Sequence, residues 1–308
     1  MAPRANQEMT PSAALMIVLV CIIFGANAVA IKICMTGIGT FTAAAVRFAL
    51  GALVIYIWAR ITGRSFRVKR RDMPLLLILC GLVTLQLSLF YLGLSKTLAS
   101  RGALVVNAVP FLVLIFAHFF IPGDRMTFGK AGGMLLGFSG VALVLAENSP
   151  LGGGWRSGDG IVLCAAICWA AGAVFTKRII HRFDPFQIVL YPLTFAVPIQ
   201  LLEGWLWDAP MVSHLSGTIV VALLYQSLVC TAFGLVVWNS MLNRYGASML
   251  HTFVFIIPIV GVAAGGLILD EPITLRLVAA AALVAAGIGL VNIRSGRSIP
   301  ASPVGRSF

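Results

Sequence analysis

Phe24-Gly-Ala-Asn-Ala-Val-Ala-Ile-Lys32 returns 145 residues later as Trp169-Ala-Ala-Gly-Ala-Val-Phe-Thr-Lys177, with four of the nine positions identical. Two further pairs keep nearly the same spacing. Ala99-Ser100 and Pro110 align with Ala247-Ser248 and Pro258 at an offset of 148. Gly140-Val-Ala-Leu-Val aligns with Gly287-Ile-Gly-Leu-Val at an offset of 147. Three separate matches at one spacing mark an internal repeat of half the chain.

The repeated unit is apolar. Of 308 residues, 60% are hydrophobic and 10% are charged, where an ordinary soluble domain is about 25% charged. Mean hydropathy is +1.00. This composition excludes a soluble enzyme, a disordered chain and a fibre. At roughly 20 apolar residues per spanning helix, the chain has room for about ten spans and no large soluble domain. Ten apolar runs are present, at 12–34, 40–59, 74–95, 101–121, 128–146, 159–179, 186–207, 216–240, 246–269 and 274–293. The first is long enough to span, so it is expected to be a retained helix and not a cleaved signal.

Charge placement sets the orientation. With the N-terminus inside, the inner segments hold 16 basic and four acidic residues, and the outer segments five basic and six acidic. The net charge of +12 is therefore a positive-inside signal, with both termini cytoplasmic, and nucleic-acid binding is not needed to explain it. Each repeat contains five spans, an odd number, so the second half enters the membrane from the opposite side. Lys32 ends its span outside and Lys177 ends its span inside. Inverted repeats of this kind are a transporter architecture. The expected fold is an all-α integral membrane protein of ten transmembrane helices, as two inverted five-helix repeats at 12–146 and 159–294. Residues 147–158, with Gly152, Gly153 and Gly154, form the linker.

On these features the chain resembles the drug/metabolite transporter superfamily, EamA type. The shared features are ten spans, two five-helix repeats and an aromatic-small-small pattern closed by lysine in spans 1 and 6. Phe24 stands where the family often has tryptophan. Over its whole length the chain looks most like the YddG group of aromatic-amino-acid exporters of bacterial inner membranes. The resemblance implies a central cavity lined by spans 1, 3, 4, 6, 8 and 9, alternating access, and a small organic metabolite as substrate. No cofactor is implied.

The residues within the spans add to that reading. No carboxylate lies near mid-span; Glu203 and Asp208 fall close to the outer end of span 7. Ion-coupled pumps usually need a titratable group at depth, so a facilitator or exchanger is expected. The polar residues at depth are mostly neutral. Asn27, Thr84, Gln86, Ser88, Asn107, Tyr225, Gln226, Ser227 and Thr231, with His251 nearer the inner side, offer amides and hydroxyls to an ammonium and a carboxylate. Trp169, near the middle of span 6, offers a ring and an N–H. The substrate-binding set is therefore Asn27, Gln86, Ser88, Asn107, Trp169, Tyr225, Gln226, Thr231 and His251. The competing reading for each is plain interhelical bonding. Pro110 and Pro258 hold equivalent places and remove backbone donors, so both are expected to kink their spans and serve gating. Arg47 is the one basic residue well inside a span. It is about two turns from the outer edge, within snorkelling reach, and is expected to snorkel or to bond helix-end carbonyls, with attraction of a substrate carboxylate as the alternative. Gly132, Gly133, Gly137 and Gly140 allow close helix contact, within the chain or in a homodimer.

Catalysis and metal binding find no support. Cys21, Cys34, Cys80, Cys164, Cys168 and Cys230 lie in or beside apolar runs without zinc-site spacing. Gly246-Ala-Ser248 with His251 gives a Ser/His pair on one helix, where a protease dyad must bridge two. The remaining rivals are a broad-specificity drug exporter and a membrane scaffold that transports nothing.

Overall fold

The computed structural model describes residues 10–121, 128–146, 157–235, 237–238, 241, 245 and 253–295. It is a helical bundle. Helix α1 is Pro11–Cys34, α2 Thr40–Ile61, α3 Met73–Ser95, α4 Ala99–Val106, α5 Val109–Phe120 and α6 Phe128–Ala146. In the second half, α7 is Ser157–Ile179, α8 Pro185–Trp207, α9 Gly217–Leu224, α10 Ile256–Leu269 and α11 Leu275–Ser295. Seven helical segments among the described residues are long and apolar enough to cross a membrane, with α4 and α5 counted as one. Three shorter apolar helices lie at Ala131–Ala146, Ile256–Leu269 and Leu275–Val291. No strand occurs among the described residues, only an isolated bridge between Ile38 and Val212. Large apolar side chains face outward, such as Leu15 at 71% and Leu275 at 86% exposure, as they do where hydrocarbon is the solvent.

Local chemistry sets the helix boundaries. Thr10 caps α1, its hydroxyl accepting from the Ala13 N–H at 3.3 Å. Asp184 and Gln187 form a reciprocal capping box at the start of α8, which satisfies two orphan N–H groups. Two other helices are capped by carboxylates from elsewhere in the chain. Asp208, just past α8, accepts from the N–H groups of Phe41 and Thr42 at 2.9 and 2.8 Å and from the Thr42 hydroxyl at 2.9 Å. Glu271, just past α10, accepts from the N–H groups of Ala99 and Ser100 at 2.6 and 2.9 Å and from the Ser100 hydroxyl at 2.5 Å. A negative charge at a helix N-terminus also opposes the helix dipole favourably. Asp159, at the start of α7, binds Arg101 at the start of α4, with Nε at 3.0 Å and Nη2 at 2.6 Å from its Oδ2. These contacts gather the starts of α2, α4 and α7 with the ends of α8 and α10 at one end of the bundle, here the Thr40 end.

Small residues set the closest helix contacts. A Cβ on Gly133 would lie 2.9 Å from the Gly287 carbonyl oxygen, and one on Gly140 would lie 2.8 Å from the Ala280 carbonyl oxygen. The glycines of α6 at 133 and 140 are thus used against α11 within the chain, and Gly137 lies against Phe111 and Gly287. Gly132 faces open space. The main core draws on α1 to α11, with Tyr91, Phe111, Leu94, Leu104 and Ile31 fully enclosed.

Two sequence expectations need local correction. Span 4 is two helices, broken at Asn107–Ala108, and Pro110 is the second residue of α5. Proline is favoured there, because a first-turn N–H has no intrahelical partner anyway. Pro258 is the third residue of α10 and follows a turn at 253–255. Both prolines start helices instead of bending them mid-span. The linker at 147–156, Gly246 to Ser248 and His251 lie outside the described residues.

Candidate functional site

The polar centre of the bundle is built on an unusual helix segment. After α9 the backbone continues from Tyr225 to Gly234 as a π-helix. Such segments are rare and concentrate at functional sites. Their i to i+5 spacing stacks residues five apart. Gln226 and Thr231 are such a pair, and the Thr231 hydroxyl donates to the Gln226 carbonyl at 2.8 Å. Both side chains consequently face α2.

Arg47 meets them there. Its Nε donates to Thr231 Oγ1 at 3.3 Å, and its Nη1 donates to Tyr91 Oη at 3.2 Å and to Gln226 Oε1 at 3.4 Å. Tyr91, on α3, donates its own hydroxyl to Gln226 Oε1 at 3.1 Å. The Gln226 amide nitrogen turns the other way, to the Ala30 carbonyl and Cys34 Sγ of α1, each at 3.0 Å. One glutamine thereby joins α1, α2 and α3 to the π-helix. Close approach is possible because Gly51, one turn beyond Arg47 on the same face, leaves room for Thr231: a Cβ there would lie 2.7 Å from Thr231 Cγ2. The Arg47 guanidinium carbon lies 5.0 Å from the centroid of the Phe48 ring. Phe48 and Tyr91 meet edge to face, with centroids 6.1 Å apart.

Arg47 is 8% exposed, so the snorkelling expectation is corrected. The side chain turns into the bundle because α3 and the π-helix present oxygens there, at hydrogen-bond distance, whereas a helix on its own would send it to the interface. Among the described residues no carboxylate lies within ion-pair distance of it. Carboxylates elsewhere in the bundle have partners: Asp159 has Arg101, Asp208 and Glu271 have helix starts, and Glu203 has the Ser88 hydroxyl at 2.7 Å.

Of the residues singled out from the sequence, Gln226 and Thr231 belong to this cluster. Tyr225 is adjacent, its hydroxyl donating to the Ile23 carbonyl of α1 at 2.7 Å. Asn27 lies on α1 between Ile23 and Ala30, and its Oδ1 is buried without a partner among the described residues. Ser88 belongs to a second seam, between α3 and α8, where its partner is Glu203. One turn back along these helices, Thr84 Oγ1 and both amide atoms of Gln200 are buried without partners among the described residues. Gln86 is buried on α3. Asn107 folds back on α4, its Nδ2 2.5 Å from the Ala103 carbonyl, and closes that helix. Trp169 is 47% exposed and stands apart from the cluster. Sequence reasoning left Arg47 and Tyr91 out of the binding set. The signal for Arg47 was its charge inside a span, which by default marks a functional site; nothing marked Tyr91.

This buried meeting of four helical segments gathers neutral oxygens around one guanidinium, and the comparisons with known proteins define the class of molecule. The EamA-like transporter family profile matches residues 11–146 and again 156–293. The chain belongs to this family: it is a multi-pass membrane transporter, and small molecules are its cargo. A transporter of Bacillus subtilis, YvbV, named as uncharacterized, is 28% identical over 92% of this chain and 92% of its own length. Proteins named "Probable amino-acid metabolite efflux pump" from Salmonella typhimurium and Escherichia coli are each 29% identical, over 88% of this chain and 91% of theirs. A solved crystal structure with TM-score 0.67 and 18% identity covers 94% of this chain and 99% of that one, and shares its fold.

Proposed function

We propose that this chain exports amino acids, aromatic ones foremost, across the bacterial inner membrane by alternating access, as a facilitator or exchanger. Both termini are cytoplasmic. In this reading the three shorter apolar helices also span, giving ten transmembrane helices in two inverted repeats, 12–146 and 159–294. Asn27, Gln86, Ser88, Asn107, Trp169, Tyr225, Gln226, Thr231 and His251 line the substrate path, and the helix starts at Pro110 and Pro258 serve gating during exchange.

The observation that carries the reading is the buried cluster of Gln226, Tyr91 and Thr231 with the Phe48 ring beside it. Neutral donors and acceptors next to aromatic faces suit a zwitterion with an aromatic side chain. The two relatives named as amino-acid metabolite efflux pumps point the same way. Every described carboxylate at depth already has a partner, which favours substrate-driven flux over proton antiport.

The test is counterflow into proteoliposomes holding purified protein. Vesicles preloaded with unlabelled phenylalanine or tryptophan are offered trace labelled substrate without a pH or ion gradient. Accumulation above empty vesicles, competed by other aromatic amino acids and not by lipophilic cations, is expected. Accumulation only of lipophilic cations would replace this reading with a drug exporter, and no flux of any solute would leave a scaffold.

A further inference from the structure

We propose that the Arg47 guanidinium is the receptor for the carboxylate of the transported substrate, which makes this an organic-anion or zwitterion site and closes it to plain cations. The proposal deepens the amino-acid reading and rests on it for the rest of the substrate.

Four observations carry it. Arg47 is more than nine-tenths buried, in a place where an unpaired charge is costly. Its bonds, at 3.2 to 3.4 Å, are longer than the roughly 2.7–2.9 Å of a charge-assisted pair. They all end on neutral oxygens. Its second terminal nitrogen, Nη2, makes no hydrogen bond to any described residue. The contrast with Arg101 shows that this fold does pair a buried arginine when the role is structural: there Nη2 bonds both Asp159 Oδ2 and the Val144 carbonyl at 2.6 Å.

The arrangement holds the charge without quenching it. Tyr91, Gln226 and Thr231 fix the plane of the guanidinium through Nε and Nη1, and leave the Nη2 edge for an incoming anion. Guanidinium suits this task because its fork matches a carboxylate. Phe48, beside the same guanidinium, gives an apolar wall for the rest of the solute. A cation entering here would meet a fixed positive charge with no compensating carboxylate among the described residues, so the site also rejects by repulsion.

Three probes separate the groups of the substrate: L-phenylalanine, 3-phenylpropionate without the ammonium, and phenethylamine without the carboxylate. In wild-type proteoliposomes, phenylalanine and 3-phenylpropionate should compete in counterflow and phenethylamine should not. Arg47→Gln should weaken both carboxylates about 10- to 100-fold and narrow their advantage over phenethylamine. Arg47→Lys should recover part of it. If affinity for all three falls together in Arg47→Gln, or none falls, the arginine is structural and the proposal is overturned. Should neither variant fold, the wild-type experiment decides, and equal competition by phenethylamine and 3-phenylpropionate rejects the site. Failure of the amino-acid reading looks different: phenylalanine is inert in wild type. In that case, thermal stabilisation of wild type by 3-phenylpropionate, absent in Arg47→Gln or, if that variant fails to fold, in wild type given phenethylamine, sustains the anion site, and no such stabilisation sinks it.

Discussion

Arg47 and Arg101 are both buried arginines in apolar helices, at 8% and 3% exposure, yet their surroundings differ. Arg101 meets a fully buried carboxylate at 2.6 Å, and the Asp159 that holds it also accepts from the Thr97 hydroxyl. Arg47 meets a phenol, an amide oxygen and a hydroxyl, all at 3.2 Å or more. The first is a closed pair that ties α4 to α7. The second is a charge kept solvated by protein groups and open on one edge. Burial of an arginine alone therefore says little about its role; the charge of its partner decides.

The harshest way to break this contrast is to strand Arg101. Asp159→Asn removes the counter-charge and leaves a guanidinium buried, which costs about 3–5 kcal/mol. Folded yield in detergent should collapse. The double replacement Arg101→Met with Asp159→Leu should restore much of it, since a buried pair is often replaceable by apolar residues of similar volume. A double variant as poorly folded as the single would show that the pair contributes more than charge balance.

Arg47→Gln is expected to behave in the opposite sense. It strands no partner ion, so the thermal midpoint should move far less than in Asp159→Asn. The loss should fall on substrate affinity, by the roughly 1.5–3 kcal/mol of one hydrogen bond to a charged group. A midpoint drop as large as that of Asp159→Asn would place Arg47 with Arg101 as a structural residue.

The contrast can be sharpened through Gly51. A Cβ there meets Thr231 Cγ2 at 2.7 Å, so Gly51→Ala has to separate α2 from the π-helix or shift Thr231. Overpacking of this size costs about 1–3 kcal/mol. Since Thr231 holds Arg47 Nε, affinity should fall with stability. Gly133→Ala, against Gly287 and Val291, should cost comparable stability while sparing affinity, because α6 and α11 bring nothing to the cluster. If both variants lower affinity equally, Gly51 has no special link to Arg47.

The same comparison shows how much of the molecule was legible beforehand. Hydropathy and length located most of the described apolar helices to within a few residues, because bilayer thickness and backbone satisfaction leave few choices. The exception is span 9, expected from 246, whose helix α10 starts only at Ile256 after a turn at 253–255. The break at Asn107–Ala108 was not legible. A proline in an apolar run is compatible with a kink or with a fresh start, and hydropathy does not distinguish them. Gln226 and Thr231 were legible as polar residues at depth. Their joint aim at Arg47 was not, since it depends on a π-helical spacing that no 3.6-residue pattern signals. Arg47 was misjudged because snorkelling is a property of one helix and its burial is a property of four. The glycines of α6 were legible as contact sites, but only the tertiary structure shows that α11 uses them.

The smallest effect concerns the two capping carboxylates, and it isolates the link between helix position and site. Asp208 caps α2, which carries Arg47; Glu271 caps α4, which brings nothing to the cluster. Losing a cap costs about 0.5–2 kcal/mol, so Asp208→Ala and Glu271→Ala should lower the thermal midpoint by similar modest amounts. Their effects on substrate should differ. Releasing the first turn of α2 frees a helix whose eighth residue is Arg47, and the guanidinium is held only by long bonds that tolerate little displacement. Asp208→Ala should therefore weaken phenylalanine binding severalfold, and Glu271→Ala should leave it unchanged. Equal binding in the two variants would mean that Arg47 is positioned by its neighbours in the cluster alone, with Tyr91 and the π-helix sufficient to hold it.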